Sequence, residues 1–166
     1  MGDALYVAGF HSDDSGRVDA IDPRTGAPIQ SFGIDGTLLV SGLVGGFVDI
    51  DTDGTHLYVV TTRAPHMIVA KIDRGGEILW SRGVGPGRAE TVAVDAHGIV
   101  MGGTRDHSAW DIRTSTHDDE DWRWHRREAE RQSMLFAVTA TSETIYALGW
   151  RTSDDGRVSL LEAIAR

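Results

Sequence analysis

The chain has 166 residues, enough for one compact domain and short for two. It is 40% hydrophobic and 25% charged, with a formal net charge of −9 and no cysteine. Disulfides, thiolate chemistry and cysteine-ligated zinc or iron–sulfur sites are therefore excluded, and a broad electrostatic footprint for DNA or RNA is disfavoured. No apolar run approaches the ~20 residues that a membrane-crossing helix needs. The opening MGDALYVAGF has neither a basic n-region nor a cleavage site, so no signal peptide is expected. Lys71 is the only lysine, so basic sites in this chain present planar, bidentate guanidinium groups.

In chain order the sequence reads as short apolar runs separated by polar turns. LYVAGF from Leu5 is followed by the loop HSDDSGR, then RVDAID, then PIQSFG and the Gly-rich stretch Ser41 to Gly46. The best-defined unit spans Gly45 to Gly85. There FVDI, LYVVT, MIVAKI and ILWSR alternate with the turn signals TDGT, RAPH and DRGGE, the pattern of a four-stranded antiparallel sheet. Gly83 to Gly87, GVGPG, has neither the P-loop nor the G-x-G-x-x-G spacing and precedes a strand-like ETVAVD, so it reads as a connection between units.

The other segments can be laid over that unit. LYVVTTR from Leu57 has relatives in LYVAGFH from Leu5, IVMGGTR from Ile99 and IYALGWR from Ile145. Three of the four follow a run that ends in a turn: FVDIDTDG, TVAVDAHG and LFAVTATSE. A third run comes after each, and a fourth is read in PIQSFG, EILWSRG and DWRWHRR. The last lies in Thr116 to Gln132, whose acids before bases also suit a helix; the alternation in WRWHR favours an outer strand or hairpin. Units of forty-odd residues with four strands each predict an all-β β-propeller of about four blades, over roughly 1–44, 45–87, 88–130 and 131–166. Covered on both faces, inner blades read as continuous apolar runs.

At these residues the chain resembles the bacterial PQQ-like and related propeller repeats. AIDPRTGAPIQSFG (Ala20 to Gly33) is similar to the turn those repeats place between third and fourth strands. KIDRGGEILWSRG (Lys71 to Gly83) is a second copy, with Trp80 near the place of the family's docking tryptophan. The resemblance implies turns and blade packing rather than an activity. The chain holds about half the blades of a quinone-dependent dehydrogenase of this type. It begins at a second strand and ends after a third, which leaves one end unit without an inner strand and the other without an outer one. Irregular closure, a ring built from two chains and a piece of a longer protein all remain open.

His11, Arg63, Arg105 and Arg151 occupy equivalent positions just after the second strand of each unit. In a propeller such positions share one height around the axis, so four basic groups can hold a small anionic ligand or an acidic partner segment. The bland alternative is ordinary loop chemistry, with Asp13, Asp106 and Asp154 neutralising them. Asp49, Asp51, Asp53 and Gly54 form D-x-D-x-D-G, the opening of a calcium loop. Position twelve is Val60 rather than a bidentate Glu, and Asp51 aligns with the turn residue Asp95, so turn capping stands beside the metal reading. The seven histidines are scattered, and neither H-E-x-x-H nor G-x-S-x-G is present. These observations favour a non-enzymatic binding or assembly module with a protein partner or self-association. An enzyme fragment of quinoprotein-like or hydrolytic type and a structural self-assembling subunit are the alternatives. No cofactor other than calcium is suggested, and neither nucleic acid nor membrane is expected as a partner.

Overall fold

The computed structural model describes residues 3–11, 15–41, 46–105, 109–117, 121–127 and 132–166. Fourteen strands in four antiparallel sheets make up its regular structure. Sheet 1 contains β1 (Leu5–Phe10), β2 (Gly16–Ile21) and β3 (Thr37–Val40). Sheet 2 contains β4 (Asp49–Thr52), β5 (Leu57–Arg63), β6 (His66–Ile72) and β7 (Ile78–Pro86), hydrogen-bonded in that order. Sheet 3 repeats the arrangement with β8 (Arg88–Asp95), β9 (Gly98–Arg105), β10 (Ala109–Ser115) and β11 (Arg123–Arg127). Sheet 4 holds β12 (Ser133–Ala140), β13 (Thr144–Ser153) and β14 (Gly156–Ala165). Among the described residues there is no helix, hence none long and apolar enough to cross a membrane.

Each sheet is a meander of neighbouring strands, so the polar turns of the sequence become hairpins. Two details differ from the sequence reading, and a third agrees with it. PIQSFG is not the last strand of the first sheet; Pro28 makes only an isolated bridge to Ile21, and TLLV at 37–40 pairs with β2 instead. A proline has no N–H to give a ladder, whereas TLLV is β-branched and aliphatic. GVGPG is also more than a connection, because β7 runs through Pro86 and pairs Gly85 with Met67 and Pro86 with His66. Within 116–132 the chain forms β11, which pairs with β10 through Arg123 and Trp124, as the alternation in WRWHR suggests. The HSDDSGR loop (12–14), part of the Gly-rich stretch (42–45), Asp106 and residues 118–120 and 128–131 lie outside the described residues.

Side-chain alternation decides how the sheets stack. On β5, Leu57 and Val59 pack with Val18, Ala20, Phe32 and Phe47 against sheet 1, while Tyr58 and Val60 turn the other way, with Ile99 and Met101 of sheet 3. On β9, Val100 faces Leu135, Val138, Ile145 and Ala147 of sheet 4. Residues one apart on a strand point to opposite faces, so a sheet covered on both sides needs apolar residues at every position. Three apolar clusters thus join four sheets in chain order, and among the described residues no fourth joins sheet 4 to sheet 1.

Polar ties supplement the apolar contacts. Asp49 Oδ2 accepts hydrogen bonds from Thr91 Oγ1 (2.8 Å) and Val92 N (2.9 Å), and Asp51 Oδ2 accepts from Val94 N (2.7 Å). Thr91 Oγ1 in turn accepts from Val138 N at 3.3 Å. The first strands of sheets 2, 3 and 4 are therefore linked through one hydroxyl. Between sheets 2 and 3, Arg113 donates to the wholly buried Asp111 (Nη2 to Oδ2, 2.7 Å) and to the Val84 carbonyl. A Cβ on Gly85 would run into the Arg113 guanidinium, and its φ of 133° falls where side chains rarely go, so this approach needs glycine. Trp80 packs edge-on to Tyr58 with ring centroids 6.2 Å apart and carries the Arg82 guanidinium 4.3 Å above its ring.

Candidate functional site

The four aligned basic positions fall where the repeat places them, at the same end of their sheets. His11 follows β1, Arg63 and Arg105 close β5 and β9, and Arg151 lies near the end of β13. Arg63 is exposed, and the other three are half-buried. None of them itself lines a cavity described here, but three directly follow residues that do: Thr62, Thr104 and Trp150.

Two cavities open at that end. One, of about 330 Å³, lies between sheets 2 and 3 and is lined by Thr62, Ala64, Pro65, Pro86, Gly87, Arg88 and Thr104. The other, of about 100 Å³, lies between sheets 3 and 4 and is lined by Arg88, Glu90, Thr104, Ser133, Met134 and Trp150. They share Arg88 and Thr104, which are register partners on β8 and β9. Below the larger cavity, Thr62 Oγ1 accepts a hydrogen bond from Ala89 N (3.0 Å), which holds sheet 3 against sheet 2.

Glu90 owes its position to a bulge. The β8–β9 register steps from Ala89 directly to Thr91, leaving Glu90 as the extra residue, and a bulge re-aims the side chain it carries. The Glu90 side chain is 12% exposed, and Arg88 Nε lies 3.0 Å from its Oε1. That oxygen is shielded from solvent and the contact lacks hydrogen-bond alignment. Burial pushes the Glu90 carboxyl above its ordinary range, and the Arg88 charge opposes the shift only in part. Thr104 is 7% exposed, and its Oγ1 has no hydrogen-bond partner among the described residues. A buried hydroxyl without a partner is costly, so it marks a place where a ligand or water can complete the structure. Trp150 supplies an aromatic wall, with the Arg157 guanidinium 4.4 Å over its ring.

The sequence reading passed over Arg88 and Glu90, although a signal was present. Opposite charges two residues apart on a strand share a face, and the described strands hold three such pairs: Arg17–Asp19, Arg88–Glu90 and Asp111–Arg113. Among the described residues, Glu90 is the one carboxylate that lines either cavity.

The D-x-D-x-D-G carboxylates are engaged separately. Asp49 and Asp51 serve the tie to sheet 3 described above. Asp53 caps its own turn, accepting from Thr55 N and His56 N (both 2.7 Å) and from the Tyr58 hydroxyl (2.9 Å). Burial works against ionisation of Asp53, but the His56 and Thr55 amides, the Tyr58 hydroxyl and the His56 ring outweigh it and hold its pKa down to about 2. Among the described residues, no group of three or more His, Asp or Glu side chains is arranged to hold a metal ion. A further cavity of about 230 Å³ lies at the opposite end of sheets 3 and 4, where Arg166 pairs with Asp95. No protein-family model matches the chain, and no curated protein sequence does either.

Proposed function

We propose that this chain is a β-propeller-type binding module, with blades of the PQQ-like kind, that holds a small anionic ligand or an acidic partner segment at the arginine-bearing end of its sheets. The observation that carries the reading is the meeting of two cavities at Arg88 and Thr104, beside the strand ends that bear Arg63, Arg105 and Arg151. The Arg88 side chain is 58% exposed and presents a guanidinium suited to carboxylate or phosphate. Glu90, kept from full solvation, and the Thr104 hydroxyl, without a partner among the described residues, offer acceptors for hydroxyl or N–H groups on the same ligand. Convergent polar groups on a partly apolar wall are what small-molecule sites share. His11 belongs to sheet 1 and stands outside this part of the site. Among the described lining residues the one carboxylate, Glu90, is paired with Arg88, which is in keeping with binding.

The test is a thermal-shift titration with citrate and with inorganic phosphate, against sodium chloride at matched ionic strength. The melting temperature is expected to rise with one of the two anions and to stay put for Arg88→Ala. An unchanged melting temperature with both anions, or an equal rise in the variant, would sink the reading.

A further inference from the structure

The repeat alignment can be read face by face. Leu5, Leu57, Ile99 and Ile145 are equivalent, and so are Val7, Val59, Met101 and Ala147. In sheets 2, 3 and 4 these residues face the preceding sheet and are 0–1% exposed. Among the described residues no sheet packs on that face of sheet 1, and Leu5 and Val7 are 51% and 46% exposed. The intervening positions face the following sheet. Tyr58 and Val100 are fully buried there, and Tyr6 packs on sheet 2 beside Phe32. Their equivalent in sheet 4, Tyr146, is 40% exposed, and Leu148 on the same face is 45% exposed. Leu161 extends that face as the register partner of Leu148.

The two uncovered faces are thus of opposite kinds. Sheet 1 shows the kind that receives a preceding sheet, and sheet 4 the kind that receives a following one. Every internal contact joins one kind to the other, so a second copy of this chain carries the matching surface for each. We propose that the Tyr146–Leu148–Leu161 face of sheet 4 docks on the Leu5–Val7–Leu39 face of sheet 1 in a second copy. The reciprocal contact closes the two chains into one ring of eight sheets. Such a head-to-tail contact is heterologous, and it ends in a ring when its rotation closes. Strand spacing and rise give faces of a few hundred Å² each, so two contacts bury on the order of 1,000–1,500 Å² in all, at the lower end of stable interfaces. The proposal rests on the stacking of the sheets and is independent of the anion site.

Light scattering on the purified chain over a dilution series provides the test. The expected mass is about twice the 18.0 kDa of one chain. Leu5→Glu and Leu148→Glu are each expected to give monomers, since each spoils both contacts of its own ring. Circular dichroism on each variant checks that it remains folded, as expected of exposed positions. Mixing the two variants leaves one intact contact, sheet 4 of the first on sheet 1 of the second, so a weaker 1:1 dimer should reappear at high protein concentration. A monomeric parent chain, a Leu5→Glu variant that stays dimeric, or a mass that climbs past two chains with concentration would each overturn the closed ring.

Discussion

Sheets 2 and 3 differ from sheets 1 and 4 less in sequence than in what lies on either side of them. LYVVT and IVMGG are buried throughout, whereas LYVAG and IYALG alternate between covered and open residues. The runs are alike in apolar content, and the exposure follows from position in the row. Burial is therefore a property of the stack as much as of the strand, and an apolar run records how many neighbours a sheet is built to have.

The sharpest way to break this comparison is to truncate equivalent residues. Leu57→Ala should cost ~2–5 kcal/mol through lost burial and an unfilled cavity. Leu5→Ala should change the stability of the dissociated chain by about 0.5 kcal/mol or less. Denaturant unfolding of both at high dilution checks the contrast, and similar losses would mean that sheet 1 is covered after all.

Acid should separate the same regions. The turn in sheet 2 uses Asp53 and that in sheet 3 uses Asp95, while sheet 4 uses the hydroxyl of Thr141 at the corresponding turn. Burial opposes ionisation at Asp95 too, and the Arg166 guanidinium outweighs it and lowers the pKa. Because the folded value for Asp53 is about 2 against an ordinary 3.8, its stabilisation is fully present above about pH 4 and is lost as the pH falls through 2. The difference corresponds to about 2 kcal/mol. Asp53→Asn should flatten the thermal-stability profile between pH 5 and 2, and an unchanged slope would contradict the assignment.

A smaller effect is expected at Thr91. Thr91→Val keeps the shape but removes the donor to Asp49 and the acceptor for Val138 N, at a cost of ~1–2 kcal/mol. Hydrogen exchange should then report faster opening at Val138. Protection equal to that of the parent chain would show that the hydroxyl adds nothing to packing.

Much of the fold was legible because the strands are short apolar runs bounded by glycine and aspartate turns, and because the repeat places them a second time. TLLV was missed since PIQSFG, ending in an aromatic, matched the repeat better than a strand must. The candidate site was legible in part. The alignment brought Arg63, Arg105 and Arg151 to one end, and the i, i+2 pairing of Arg88 with Glu90 was there to be noticed. The bulge that turns Glu90 inward was not, because it depends on how β8 and β9 slip past each other. That Asp49 and Asp51 accept from the Thr91 hydroxyl and from amides of another sheet was not legible either, since only the stacking reveals it.

The hydroxyl of Thr91 has a consequence for how far the units can be exchanged. Newly duplicated units are exchangeable, and any copy can stand in any place. Here the first strand of sheet 3 needs a carboxylate from the unit before it and a bare amide from the unit after it. Reordering the units by gene shuffling would strand that hydroxyl against the wrong neighbour. Thr91 thus makes sheet 3 the unit whose first strand is matched to both of its neighbours.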